Sequence, residues 1–301
     1  MNTVKQALNL VNQNILGKEE TVSLAMISLL CQGHLLIEDI PGVGKTTMVY
    51  IFGKLLGLDI SRIQFTNDLL PSDIIGTPIF KKETESFEFH KGPLFGNLIL
   101  ADELNRATPK TQSALLQVME ERKVSVDSGE YHMPDPFIIM ATQNPYSQMG
   151  TYPLPESQLD RFFMGISLGL PSSEYEKQII QQRDIRERIK EMNALFEKDE
   201  LKEIHESLWN IHASDDLLDY LLRLVGSVRE NIDGGEFLSP RAGKDLLMAA
   251  RAKAFIEERD YVIPEDIQFV FPYVVGHRIG HHKSFNEVHQ ILKSLIKDIA
   301  C

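Results

Sequence analysis

Residues 39–46, Asp-Ile-Pro-Gly-Val-Gly-Lys-Thr, constrain this chain more than any other stretch. An apolar run of strand length, residues 34–38, leads into them. A helical pattern follows, in which Met48, Ile51, Leu55 and Leu56 recur on one face. A glycine-rich turn between a buried strand and a helix points backbone N–H groups at an anion, with the positive helix terminus behind them. In such a loop Gly42 and Gly44 free the backbone, Lys45 reaches the β- and γ-phosphates, and the Thr46 hydroxyl ligates Mg²⁺. The usual pattern opens with glycine, and here that position is Asp39.

Residues 98–101 and 137–141 are two further apolar runs, and each ends in polar groups. Between them, Thr108 is suited to cap a helix that opens with Pro109 and continues through Leu115, Leu116 and Met119. Strand alternating with helix predicts an α/β fold, a parallel sheet sandwiched between helices. Two segments interrupt the pattern. Phe80 to Phe89, with Phe87 and Phe89 flanking Glu88, and Val124 to Met133 both read as β-hairpins inserted into the core. From Pro171 onward the pattern is helical throughout, with an apolar stripe of Leu217, Leu218, Leu221, Leu222 and Val225 and a further helix after Pro240. The expected division is therefore 1–171, a nucleotide-binding core, and 172–301, a smaller all-α domain.

The run 98–101 ends in Asp102-Glu103. Charges commonly end strands, so the pair alone is weak evidence. Following a phosphate loop, it supplies one carboxylate for a metal and one, Glu103, as general base for an attacking water. The run 137–141 ends in Thr142-Gln143-Asn144, which places Asn144 to orient the water or the γ-phosphate, although Asn144-Pro145 is also a turn signal. Arg161, on a short predicted helix, would ordinarily be a solvated charge. In a ring enzyme it is a candidate for the arginine donated to a neighbour's γ-phosphate, with Arg106 in reserve. Arg241 opens a helix of the second domain and is expected to reach back to the same phosphate.

Composition narrows the partners. A net charge of -12 argues against nucleic acid, whose binding relies on Lys and Arg. No apolar run is long enough for a membrane span, and the polar start lacks a signal-peptide pattern, so a cytoplasmic location is expected. Cys31 and Cys301 are too few and too far apart for a disulfide frame or zinc cluster. His277, His281 and His282 lack a carboxylate or thiol partner at ligand spacing and read as surface histidines.

Taken together, these residues resemble the MoxR family of AAA+ ATPases. The likeness runs through Leu16-Gly17-Lys18, Pro41 to Thr46, Leu69 to Ile74, Gly92 to Phe95, Ala101 to Ala107, Ala141 to Pro145, Leu159 to Phe162, Ser239 to Ala242, and His277-Arg278. The resemblance implies an AAA+ core with β-hairpin insertions, one of them in helix two, and an all-α lid. It implies ATP with Mg²⁺ at the interfaces of a homo-hexamer, and chaperone-like remodelling or activation of client proteins, often ones bearing a von Willebrand factor A domain. It assigns Gly17, Pro41, Gly42, Val43, Gly44, Lys45, Thr46 and Thr47 to the nucleotide, with the backbone around Gly17 against the adenine. Thr46 and Asp102 serve the metal; Glu103, Asn144, Arg161 and Arg241 are catalytic glutamate, first sensor, finger and second sensor. A ring-forming nucleic-acid motor and a chelatase-like ATPase subunit share these core motifs and remain the alternatives.

Overall fold

The computed structural model describes residues 3–83, 85–126, 129–144, 150–181, 185–197, 199–279 and 284–299. Helices α1 (Thr3–Asn12) and α2 (Glu19–Leu30) precede strand β1 (Leu35–Glu38). Then come α3 (Lys45–Leu55), β2 (Ile60–Gln64), α4 (Pro71–Ile75), the hairpin of β3 (Gly76–Lys81) and β4 (Ser86–Lys91), and β5 (Leu98–Asp102). A short turn leads to α5 (Pro109–Glu121), the hairpin of β6 (Lys123–Val126) and β7 (Gly129–His132), β8 (Ile138–Gln143), α6 (Glu156–Leu159) and β9 (Met164–Ile166). The remaining elements are helices: α7 (Ser173–Gln181), α8 (Ile185–Glu191), α9 (Glu200–Leu208), α10 (Asp215–Asn231), α11 (Pro240–Ile256), α12 (Pro264–Ile279) and α13 (Phe285–Asp298).

Five parallel strands form the central sheet in the order β2-β5-β8-β1-β9. Because side chains alternate along a strand, each apolar run feeds both faces. Leu35, Ile37, Leu98, Leu100, Ile138 and Met140 pack with Ile27, Met48 and Phe52 of α2 and α3. Leu36, Ile99, Ala101, Ile139 and Ala141 pack with Leu115, Leu116 and Met119 of α5. Helices on both faces make the expected three-layer α/β core, and explain why these strands read as continuous apolar runs.

Two strands of the sheet were not expected from the sequence. β2 reads Ile-Ser-Arg-Ile-Gln, and only Ile63 is buried, because it is an edge strand that pairs with β5 alone. β9 is three residues long, too short to carry a pattern.

Both hairpins form. The first springs directly from α4, a five-residue helix. Gly76 makes that junction possible: its φ is +116°, and a Cβ there would lie 2.2 Å from the His90 carbonyl. Phe89 is buried against Phe95 and Tyr131, whereas Phe87 is exposed and lies against the exposed Phe80. The tip of the second hairpin, residues 127–128, lies outside the described residues.

Hydroxyl caps start two of the later helices: Ser214 accepts from Leu217 N–H at the head of α10, and Ser239 from Arg241 N–H at the head of α11. In α10, Leu217, Leu221 and Val225 are buried, while Leu222 points outward. Nearly the whole length of α12 is buried between α11, α13 and β9. No described helix is long and apolar enough to cross a membrane.

His277 departs from its expected surface role. It is half-buried at the junction of α12 and β9, its Nε2 3.0 Å from the Phe162 carbonyl and its Nδ1 3.2 Å from that of Tyr273. Burial, then the neighbouring Arg278, pushes its pKa down to about 3. His281 and His282 lie outside the described residues, and among the described ones no His, Cys, Asp and Glu cluster suits a metal.

Candidate nucleotide site

The carboxyl ends of β1, β5 and β8 open onto one cleft of about 320 Å³. It is lined by Pro41, Gly42, Gly44, Lys45, Thr46, Thr47, Arg62, Asp102, Glu103 and Asn144. Three stretches remote in sequence converge there because β5, β8 and β1 are neighbours in the sheet.

The loop from β1 to α3 turns on Gly42 (φ +88°) and Gly44 (φ +101°), conformations a side chain resists. A Cβ at either position meets nothing within 4 Å, so the concave side of the loop is open. Lys45 is buried, and its Nζ donates to the carbonyls of Asp39 (2.7 Å) and Ile40 (3.2 Å). Burial lowers its pKa, while Asp39, Asp102 and Glu103 oppose that effect. Asp39 does not enter the cleft. Its carboxylate is buried, and Oδ2 accepts from the N–H groups of Leu168 and Gly169 and from the Ser167 hydroxyl.

One hydroxyl organises the acidic pair. Thr142 Oγ1 donates to Asp102 Oδ1 (2.7 Å) and accepts from the Glu103 N–H (2.8 Å). Glu103 itself is left-handed (φ +58°), a backbone state that costs free energy in any residue but glycine and asparagine. Held there, its carboxylate meets Arg106 at 2.8 Å, Gln64 at 3.0 Å and Asn144 Nδ2 at 3.5 Å. Asp102 Oδ2 accepts from Arg62 at 2.7 Å. Asn144 is buried, and its backbone is clasped by Asn105, which donates to its carbonyl and accepts from its N–H. Pro145, which follows, lies outside the described residues.

Four of these residues were given no role from the sequence. Thr142 and Asn105 stand inside motifs already noted and could have been found there. Arg62 and Gln64 reach the cleft only because β2 aligns with β5 in a register that pairs Gln64 with Asp102.

Not every expected residue gathers here. Val43 packs into the core behind the loop. Gly17 is not part of the cleft lining; it carries a φ of +68°, and the Tyr175 ring from α7 lies against it. Arg161 and Arg241 sit elsewhere, and Arg241 lies away from the phosphate loop that it was expected to reach. Both flank a second cavity of about 340 Å³, which also touches His34, at the opposite end of β1 from the phosphate loop. There they share one carboxylate: Arg161 meets Glu120 Oε2 at 2.9 Å and Arg241 meets Oε1 at 3.2 Å. The reason lies in the lid's attachment. Asp160 accepts from Ser239 Oγ (2.9 Å) and from Arg278 Nε (3.0 Å), which docks the head of α11 beside Arg161.

The donor set at the cleft fits a nucleoside triphosphate and a hard cation. Backbone N–H groups at the head of α3 and Lys45 suit phosphate oxygens, and the Thr46 hydroxyl with the Asp102 carboxylate are oxygen ligands of the kind Mg²⁺ prefers. A phosphate loop leading into a helix, an acidic pair on a neighbouring strand and a helical lid define a P-loop ATPase of the AAA+ class.

Comparison with known proteins agrees. Residues 34–164 match the model of the ATPase family associated with various cellular activities (AAA), and residues 237–295 match that of the AAA lid domain. The chain is 41% identical over 288 residues to Chaperone MoxR1 of Mycobacterium tuberculosis, covering 93% of this chain and 76% of the relative. It is 42% identical over 277 residues to the uncharacterized protein YeaC of Bacillus subtilis, covering 92% and 87%. A crystal structure of a putative ATPase from Cytophaga hutchinsonii, 36% identical, superposes with a TM-score of 0.87 over 99% of this chain and 94% of that one. The chain therefore belongs to the MoxR family of AAA+ ATPases and is a nucleotide-binding ATP hydrolase.

Proposed function

We propose that this chain is a Mg²⁺-dependent ATPase that works as a homo-hexameric ring in the cytoplasm and remodels or activates client proteins. In this reading residues 1–171 form the motor core and 172–301 the lid. The observation that carries the ring is the placement of Arg161 and Arg241. Both stand on Glu120, at the far end of β1 from their own phosphate loop. If these guanidiniums serve a γ-phosphate, it is that of another copy. Both then act across the interface, Arg241 as well as Arg161.

Within one subunit the roles divide by chemistry. Gly17 and residues 41–47 hold the nucleotide, and Lys45 turns from the loop carbonyls to the β- and γ-phosphates. Thr46 and Asp102 supply oxygen ligands to Mg²⁺, which when bound neutralises charge on the phosphates. Glu103 accepts a proton from the attacking water, and Asn144 orients that water. Thr142 holds Asp102 and Glu103 at a fixed spacing. The MoxR1 relative is named a chaperone, which supports a protein client; a von Willebrand factor A partner rests on the family resemblance. The charge of -12 weighs against a nucleic-acid motor.

Mixed assemblies test this reading. Lys45→Ala is expected to abolish nucleotide binding, and Glu103→Gln to bind ATP without turning it over. Arg161→Ala and Arg241→Ala are each expected to lower hydrolysis, for the finger by about 10³-fold or more. Mixing either arginine variant with Glu103→Gln subunits should restore activity, since the intact base of one copy meets the intact arginine of the other. If the Arg241→Ala mixture stays inactive while the Arg161→Ala mixture recovers, Arg241 acts within its own subunit and the pairing is wrong. Stimulation by DNA that falls steeply with salt would favour the motor instead.

A further inference from the structure

Asp39 occupies the first position of a phosphate loop, where the common residue is glycine, and nothing in the hydrolytic scheme uses it. The residue is only 6% exposed. A buried charge is tolerated only when donors replace its water. All three donors come from one strip, Ser167 Oγ (3.1 Å), Leu168 N–H (2.5 Å) and Gly169 N–H (2.9 Å). That strip joins β9, the last strand of the core, to α7, the first helix of the lid. It bends at Gly169, whose φ is +63°. Two neighbours tie the same strip to α2 and the residue before it: Thr21 Oγ1 donates to the Ser167 carbonyl and Lys18 Nζ to that of Leu170.

The backbone of Asp39 faces the other way. Its carbonyl accepts from Lys45 Nζ at 2.7 Å, the shorter of that ammonium's two bonds to the loop. One residue thus holds the phosphate lysine through its main chain and the lid linker through its side chain. When Lys45 leaves the carbonyls for a phosphate, the Asp39 carbonyl loses that donor, at the residue whose carboxylate carries the strip.

We propose that Asp39 is a positioning residue that couples occupancy of the phosphate loop to the orientation of the lid. The inference rests on phosphate binding at Lys45 but not on the ring.

Hydrogen–deuterium exchange with and without Mg-ATP, in the Glu103→Gln protein so that nucleotide is not consumed, reads loop and linker separately. The parent is expected to gain protection in residues 39–47 and to change in residues 167–181, including α7, which has no bond to Asp39. Asp39→Ala should keep the first response and lose the second. Asp39→Asn, which still presents one acceptor oxygen to the three donors, should retain part of it. In the otherwise unmodified chain Asp39→Ala should lower kcat by roughly 10-fold while nucleotide affinity changes less than about 3-fold, the split expected when a group is misplaced rather than removed. A role in stability alone would lower the melting temperature but leave the response of α7 to nucleotide intact. Should Asp39→Ala fail to fold by circular dichroism, Asp39→Asn and Ser167→Ala carry the comparison, each with a reduced response. An α7 response in the variants equal to the parent's, or a parent whose loop responds while α7 does not, overturns the coupling. A parent with no loop response overturns the nucleotide site itself.

Discussion

Arg278→Met tests how the lid is fastened to the core. The Arg278 side chain is 2% exposed and lies between two carboxylates, Asp160 at 3.0 Å and Asp245 at 2.5 Å. It also donates to the carbonyls of Val274 and Phe162. Methionine keeps much of the length and removes the charge. Breaking a buried ion pair from one side costs about 3–5 kcal/mol, because the remaining charge is left uncompensated. Both aspartates keep 21% side-chain exposure, so water relieves part of this and the lower end, about 3 kcal/mol, is expected. That is a large share of a typical stability of about 5–15 kcal/mol. Urea unfolding followed by circular dichroism measures it. Burial already raises the pKa of Asp245, and Arg278 is the largest of the effects that oppose it. Without Arg278 the folded-state pKa rises further above the unfolded value. For an acid with a raised folded pKa, stability is intact below the unfolded pKa and is lost as pH climbs through the folded one. The defect of Arg278→Met should therefore shrink as the pH is lowered, and Asp245→Asn in the same chain should restore part of the loss. A loss under about 1 kcal/mol, or a double variant no more stable than the single, would refute the claim that this pair clamps the junction.

Other outcomes follow from single contacts. His34 accepts the Ile139 N–H on Nδ1 and faces the Met119 carbonyl with Nε2, so it is neutral with its proton on Nε2, and burial pushes its pKa down to about 4 from 6.5. As pH falls through 6.5 toward 4, the unfolded chain takes a proton that the native state refuses, and about 3 kcal/mol is lost. Unfolding midpoints should drop across that window, and His34→Gln should flatten part of the slope, with His277 and His289 supplying the rest. Gly165→Ala would bring a Cβ within 2.7 Å of His277 Cβ, which cannot swing aside, so about 1–3 kcal/mol should be lost in the same unfolding assay. Phe87→Ser removes an exposed ring and should change stability by less than about 0.5 kcal/mol; a larger change would mean the ring is packed in solution.

Much of this molecule was legible along the chain because it rests on local physics. Residues 39–46 specify a glycine turn and a helix start. The runs at 34–38, 98–101 and 137–141 are apolar enough to demand burial on both faces, and Thr108-Pro109 and Ser239-Pro240 specify helix heads. Together these determine the α/β class, the phosphate loop and the acidic pair at a strand end. What the tertiary structure alone decided concerns partners far apart in sequence. β2 was hidden because an edge strand needs few apolar residues, and with it went Arg62 and Gln64, which reach Asp102 and Glu103 only through strand register. Arg241 depends on where the lid docks. That is set by Asp160, Ser239 and Arg278, residues up to 118 positions apart. Asp39 looked like a defect in a motif, and its partners lie 128 to 130 positions downstream. Periodicity and propensity act over one or two turns of chain, whereas a buried charge finds its donors wherever the fold brings them.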